Sequence, residues 1–157
     1  MSEEIESSNT SFFTMQATGE SERICSRVYE YLLESPYKFS TPPVNHFLHG
    51  GIYTRTLFLP KGILAVGARI KVPTTVILHG DVLLSNGINV VRSTGFSTFK
   101  GVPNRRCIAY ALENTYFTTH NVSKAKTLEE AEKEFTDEWQ LLSTYNNKEE
   151  KEEVNKT

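Results

Sequence analysis

The central part of this 157-residue chain has very few acidic residues. Between positions 46 and 126 the only carboxylates are Asp81 and Glu113, against ten lysines and arginines, so this region carries about +8 while the whole chain carries −2. The flanking segments, 1–45 and 127–157, therefore carry about −10 together. So few carboxylates argue against paired-carboxylate catalysis, which needs two neighbouring acids with separated pKa values.

Long apolar runs, a disulfide framework and common catalytic motifs are also missing. No run approaches the roughly 20 apolar residues that span a bilayer. The acidic first ten residues lack the apolar core of a secretory signal, so we expect a cytoplasmic protein that is neither secreted nor membrane-bound. Cys25 and Cys107 lie far apart, which favours reduced, buried thiols. There is no Gly-x-Ser-x-Gly motif and no P-loop.

The central region is instead rich in short β-type segments. Runs of Val, Ile, Leu, Thr and aromatic residues are bounded by Gly, Pro, Asn or Asp, at a spacing that favours a sandwich or small barrel over βαβ units. Asn86-Gly87 between two apolar runs predicts a hairpin with a type I′ turn. The predicted strand segments are 53–60, 62–72, 74–84, 88–93, 95–99, 105–112 and 115–122.

Helical periodicity flanks this β-type region. An apolar repeat predicts a helix over 21–34 that ends before Pro36, and an extended segment then follows to residue 45. Thr127 and Glu130 form a capping-box pattern at the start of a second predicted helix, 127–142, whose apolar stripe we expect to pack on the outside of the β region. The apolar repeats are Ile24, Val28, Tyr31 and Leu32 in the first helix, and Leu128, Ala131, Phe135, Trp139 and Leu142 in the second.

Four segments follow from this division of the chain. We predict an acidic N-terminal arm with one helix (1–45), a basic β domain (46–126), a C-terminal helix that packs on it (127–145) and a charged tail (146–157). In the arm, Phe12 and Phe13 are candidate anchors for another subunit.

Two segments resemble the motifs of the cupin, or RmlC-like, jelly roll. Gly67 to Gly80 takes the place of the first motif, and Gly95 followed by Val102-Pro103-Asn104 takes the place of the second. The segments HFLHGGIYTRTLFLPKG (46–62) and AYALENTYFTTH (109–120) are similar to those of small phage-encoded cupin-like proteins of unassigned function. The resemblance covers about residues 44–142. It implies a mainly β fold: a cupin-like jelly-roll barrel or sandwich with an N-terminal and a C-terminal helix.

The positions at which cupins hold a metal carry other residue types here. The resemblance places the ligands of the first motif near Arg69, Val72 and Pro73, and the histidine of the second motif near Arg106-Cys107. A divalent metal needs three or four nitrogen, oxygen or sulfur donors at about 2.0–2.2 Å. A guanidinium, which is charged at neutral pH, repels such an ion. We therefore expect no metal and no cofactor.

The four histidines show no spacing that is typical of a metal site. We interpret His46 and His49 as residues of a loop-like segment, His79 as part of a turn and His120 as the end of a strand. Ordinary hydrogen-bonded or surface histidines account for this distribution.

The excess of basic residues has three interpretations. In the first, the basic residues attract nucleic acid or a nucleotide phosphate, with aromatic residues such as Tyr53 stacking on bases. In the second, the acidic arms of the same or a neighbouring subunit neutralise them. In the third, they form an ordinary surface with no partner.

The resemblance and the missing metal donors favour a non-catalytic phage protein. It would be a structural or assembly component of the virion, or an accessory factor that binds virion or host proteins. It would act as a homo-oligomer in the host cytoplasm or the virion. Partner contacts are expected at Tyr53, Arg55, Arg69 and Arg106.

The alternative is a small-molecule binding module. Arg69, Arg106 and His120 at the barrel mouth would take an anionic nucleotide or sugar phosphate, because arginine binds phosphate through two parallel hydrogen bonds. A metal-dependent cupin enzyme is the third hypothesis.

Overall fold

The computed structural model describes residues 19–36 and 42–142. Within these residues, helix α1 (Gly19–Glu34) precedes seven strands, and helix α2 (Leu128–Phe135) and a 3-10 turn (Trp139–Leu141) follow them. The strands are β1 (Val44–His49), β2 (Ile52–Leu59), β3 (Leu64–Val66), β4 (Thr74–Ser85), β5 (Val90–Gly101), β6 (Ile108–Ala111) and β7 (Thr115–Val122). The predicted fold class, mainly β with a helix before and after the strands, is confirmed. Neither described helix has the length and apolar composition needed to cross a membrane.

The strands form one antiparallel sheet that curls into a half-barrel. The order is β1-β2-β7-β4-β6-β3, and β5 pairs with the other edge of β4. β4 changes partner along its length, since its first half pairs with β7 and its second half with β6. Gly80 lies at this change with φ +149°, and a Cβ there would come within 2.7 Å of the Asn114 carbonyl oxygen. Only glycine fits where the sheet turns.

Alternate residues of each strand face the inside of the half-barrel. At one end they form a closed apolar core, and at the other end α2 packs across the opening of the sheet. The core consists of Leu59, Val76, Leu78, Val82, Leu84, Phe99, Ala109 and Ala111. The cluster under α2 consists of Tyr53, Ala131, Phe135 and Leu142.

Several predicted strand boundaries are wrong. The segment 62–72 is a strand only at Leu64–Val66; residues 67–72, here called the strap, follow it and make one isolated bridge, between Ile70 and Arg105. The segments predicted at 88–93 and 95–99 are one strand, β5, because its pairing with β4 continues past Gly95.

The hairpin between β4 and β5 is confirmed, but its predicted turn type is wrong. A type I′ turn needs positive φ at both central residues. Gly87 has φ +93°, whereas Asn86 is not among the described residues with positive φ. The Asn86 side chain instead accepts hydrogen bonds from the backbone N–H of Ile88 (3.0 Å) and Asn89 (2.8 Å), which shapes a longer loop.

Helix α2 is shorter than predicted. Its N-cap is as expected, because the Thr127 hydroxyl accepts from the Glu130 N–H at 3.2 Å. The helix ends at Phe135 because the next residue bonds to the strap: the Thr136 hydroxyl donates to the Arg69 carbonyl at 2.7 Å, and the Lys71 N–H donates to the Phe135 carbonyl at 3.0 Å. Contacts with the strap therefore override the helical periodicity of residues 136–142.

Candidate functional site

The inside of the half-barrel contains a cavity of about 200 Å³ between the core and α2. Leu141, which is 47% exposed, also lines it, so the cavity reaches the surface beside this residue. Apolar residues of four strands, the strap and α2 form most of the wall, among them Leu57, Ala65, Ile70, Ala109, Phe117 and Phe135.

The polar groups of the cavity wall are few. They are Arg55, Arg105, Cys107 and Thr119. Arg55 and Thr119 face each other across the pairing of β2 and β7. An apolar cavity with a small number of polar groups is the usual form of a small-molecule site.

Arg105 enters the wall after a tight turn in which Asn104 has φ +57°. Its backbone pairs with Ile70 of the strap, through N–H to oxygen distances of 2.9 and 3.2 Å. Its guanidinium donates to the Val102 carbonyl (2.9 Å) and to the Thr74 hydroxyl (2.5 Å). The guanidinium rests on Gly101, where a Cβ would lie 2.5 Å from Arg105 Cζ. Arg105 therefore occupies the space that a side chain at position 101 would fill.

The charge of Arg105 is not balanced within the part of the chain that the structure describes. The residue is 5% exposed, and no described carboxylate lies within 4.0 Å of its guanidinium. Burial lowers the pKa of Arg105 to about 10 and raises that of the neighbouring Cys107 thiol to about 12. At neutral pH the wall thus has a charged guanidinium beside a neutral thiol.

Arg55, by contrast, has a counter-ion inside the protein. Its Nη1 lies 3.5 Å from Glu132 Oε1, and Glu132, on α2, is 1% exposed. His46 Nδ1 is 3.8 Å from the same oxygen and 3.1 Å from the Tyr53 hydroxyl. Burial is the largest cause of a raised pKa at Tyr53. This network joins α2 to β1 and β2, and it buries Tyr53 too deeply to stack on a base.

Arg106 faces away from the cavity and binds both acidic flanking segments. Its guanidinium contacts Glu22 of α1 at 2.8 Å and also contacts Glu138, which follows α2. The Gly67 carbonyl accepts a further hydrogen bond at 3.3 Å. Arg69 is exposed on the strap and does not line the cavity; its backbone N–H donates to Glu138 at 2.8 Å.

Acidic residues outside the β region thus neutralise part of its basic charge within one chain. This agrees with one of the three interpretations of the basic excess, for those cations that the pairs involve. The pairs are Arg55 with Glu132, Arg106 with Glu22 and Glu138, and Lys71 with Asp137.

His120 lies on the outer face of the sheet, where its Nδ1 is 2.9 Å from the Thr54 hydroxyl. Thr54 neighbours Arg55 on β2 and therefore faces the opposite side. The expected group of Arg69, Arg106 and His120 at one barrel mouth is not assembled. Of the predicted contact residues, only Arg55 lines the cavity. Phe12 and Phe13 lie outside the described residues.

The other histidines also differ from their predicted positions. His46 and His49 belong to strand β1 rather than to a loop. His79 lies within β4, one residue before the corner glycine, rather than in a turn.

The described residues do not fit the metal that the cupin resemblance would imply. Among them, no three His, Cys, Asp or Glu side chains are close enough together to hold an ion. His46 contacts Tyr53 and Glu132, and His79 and His120 face the outside of the sheet. The uncompensated guanidinium of Arg105 in the cavity wall also repels a cation.

Two residues of the cavity, Arg105 and Thr119, are not among the predicted contacts. Thr119 Oγ1 is buried without a hydrogen-bond partner among the described residues. A threonine within a strand-forming segment gives no sign of this position in the sequence. The one sequence signal for Arg105 is that it follows the turn Val102-Pro103-Asn104. After this turn, alternate side chains are expected to face opposite sides.

No family model and no curated protein matches the chain. Solved structures that are similar include the Cupin_2 domain of an XRE family transcriptional regulator from Enterobacter cloacae, at 9% identity, TM-score 0.43, covering 55% of this chain and 100% of that one. An RmlC-like cupin family protein with a double-stranded β-helix fold from Methanocaldococcus jannaschii is 13% identical, with TM-score 0.44 over 58% of this chain and 92% of that one. A cupin superfamily protein from Desulfitobacterium hafniense is 6% identical, with TM-score 0.43 over 56% and 84%. All three of these structures are named as cupins or cupin domains.

Proposed function

We propose that the chain is a non-catalytic binding module whose half-barrel takes a small anionic molecule. The observation that carries this proposal is Arg105, a buried guanidinium in an apolar wall with no ion-pair partner among the described residues. Removing a charge from water costs several kcal/mol unless a partner compensates it. A bound anion supplies that partner.

The same wall offers little for catalysis. The Cys107 thiol, with a pKa raised to about 12, is protonated at neutral pH and is therefore a poor nucleophile. Glu132, the carboxylate that Arg55 contacts, is not among the residues that line the cavity. Binding without chemical conversion is the function that these groups support.

The first test measures anion binding by the whole chain and by two charge variants. In calorimetry against a panel of small carboxylates and phosphates, we expect the unmodified chain to bind at least one anion and Arg105→Met to bind none. A ligand at a hundred times its Kd also stabilises the folded chain by about 2.7 kcal/mol, which thermal unfolding detects.

The matched control is Arg69→Met, which removes the same charge from the exposed strap and should leave binding intact. Arg105→Lys keeps the charge but loses the planar fork, so it should bind the anion more weakly than arginine does. Failure of every anion to bind, or equal binding by Arg105→Met, would contradict the proposal.

A second candidate function follows from the outer face of the sheet. The outward-facing positions of β1, β2, β7 and the first half of β4 include no Asp, Glu, Lys or Arg. Large apolar side chains are exposed there: Phe47, Ile52, Tyr116 and Val122, with Phe96 beside them on β5. Such a patch is typical of a protein interface. It favours a homo-oligomer. The structural or assembly role in a phage is what the resemblance of the sequence motifs implies.

A further inference from the structure

The size of the cavity limits the anion. A cavity of about 150 Å³ in another protein binds benzene, so the roughly 200 Å³ here is enough for a single ring with one small substituent, or for a short alkyl chain. A nucleotide, with its base, sugar and phosphate, is far larger than this space.

The charge of the wall limits it further. Arg55 and Glu132 compensate each other, Cys107 is neutral, and Arg105 leaves a single positive charge. One negative charge on the ligand balances it. A phosphate dianion brings a second negative charge, and the described wall has no further cation to balance it, because Arg55 is already compensated by Glu132. Arg105 uses two N–H donors, on Val102 and Thr74, out of the five that a guanidinium has. The donors that are left suit the two oxygens of a carboxylate.

A second polar atom in the same wall lacks a partner. Thr119 is 4% exposed, and its Oγ1 has no hydrogen-bond partner within the described part of the chain. Buried hydroxyls are nearly always hydrogen-bonded. Thr119 lines the cavity, but its Oγ1 is closed off from the open space, so the side chain must rotate before the hydroxyl can donate to a ligand oxygen.

We infer that the ligand is a small monocarboxylic acid with a mainly apolar body, aromatic or short-chain aliphatic. Its carboxylate binds the guanidinium of Arg105 and the hydroxyl of Thr119, and its body lies against the apolar wall. This inference rests on the proposed function, because it names the class of anion that the same cavity takes.

The test compares acids with their uncharged counterparts. Calorimetry of the whole chain would use benzoate and hexanoate, the neutral benzyl alcohol and hexanol, and the phosphates AMP and inorganic phosphate. We expect at least one carboxylate to bind, its alcohol to bind at least about tenfold more weakly, and neither phosphate to bind.

The outcomes separate the two proposals. Binding of AMP or phosphate without binding of a carboxylate would overturn the carboxylate inference and leave the anion-binding function in place. Binding of the alcohols as tightly as of the acids would overturn the role of Arg105 in both. No binding by any probe would overturn the carboxylate inference, and the wider anion panel would then decide the function.

A pair of threonine variants tests the second contact. Thr119→Val removes the cavity hydroxyl and keeps the side-chain shape, and we expect it to weaken carboxylate binding about tenfold while remaining folded. Thr118→Val is the control, because the Thr118 hydroxyl bonds to Thr56 at 2.9 Å on the outer face. Equal affinity of the Thr119→Val chain and the unmodified chain would contradict the contact.

Discussion

At the scale of single residues, Arg105 combines a cost in stability with a capacity for binding. Its buried charge lowers its pKa to about 10, so the folded chain holds this proton less tightly than the unfolded chain does. The cost is a few kcal/mol at neutral pH. Binding sites often contain groups that destabilise the protein in the absence of their ligand.

The pH dependence of binding follows from the same residue. Above pH 10 Arg105 of the unliganded chain loses its proton, so the affinity for benzoate or hexanoate should fall by about tenfold per pH unit. Below about pH 5 the ligand itself becomes protonated, and the affinity should fall again. Between these limits the affinity should change little, because burial raises the pKa of the Cys107 thiol to about 12.

Calorimetry across this pH range checks the profile, with circular dichroism to confirm that the chain stays folded. An affinity that already falls between pH 7 and 9 would assign the binding charge to another group.

The site could be predicted only in part, for reasons that are also local. Arg105 and Arg106 are adjacent, and the alternation of the predicted strand 105–112 places one inside and the other outside, but the sequence does not say which. Tyr53 reads as an exposed aromatic next to Arg55, yet the network through His46 and Glu132 buries it. Such placements depend on contacts between residues that are far apart in the sequence.

At the scale of elements, the strands were predictable because their side chains alternate between core and surface. The ends of elements that contact the strap were not predictable from the sequence. Strand 62–72 stops at Val66 because the strap pairs with Arg105 rather than with β6. Helix α2 stops at Phe135 because Thr136 bonds to the same strap.

Arg106 is the residue that holds these elements together. Replacing it with methionine removes the contacts to Glu22 of α1 and Glu138 and leaves two half-buried carboxylates without their cation. We expect Arg106→Met to lower the free energy of unfolding by about 2 kcal/mol. Urea unfolding followed by circular dichroism measures the change.

The control for this variant is an ion pair on the surface. Lys133 lies 2.7 Å from Glu129 one turn earlier on α2, and both side chains are about half exposed. Its Nζ is also 4.7 Å from the centre of the Trp139 ring. Lys133→Met should change the free energy of unfolding by at most about 1 kcal/mol. Equal effects of the two substitutions would show that Arg106 does not join the flanking segments to the sheet.

At the scale of the whole molecule, the outer face of β1, β2, β7 and the first half of β4 exposes apolar side chains and has no Asp, Glu, Lys or Arg, and this exposure gives a monomer no stability. We expect the chain to self-associate through this face, and Phe96→Ser, at a residue that is 70% exposed, to weaken that association. A stable interface buries roughly 800 Å² on each partner, so the loss of one large aromatic contact should raise the dissociation constant at least tenfold.

Light scattering coupled to gel filtration, over a range of concentrations, measures the association. Tyr31→Ser on α1 is the matched control, because Tyr31 is also exposed but belongs to a helix and not to the outer face of the sheet. A chain that stays monomeric at every concentration would rule out the interface, and so would an equal effect of the two substitutions.

The contact between Gly101 and Arg105 also has an evolutionary consequence. The guanidinium occupies the volume that any larger residue at 101 would fill. Descendants of this chain that acquire a side chain at 101 must therefore lose or redirect the arginine at 105, and with it the positive charge of the cavity. Positions 101 and 105 should therefore change together, and descendants that keep a glycine at 101 should bind the same class of ligand.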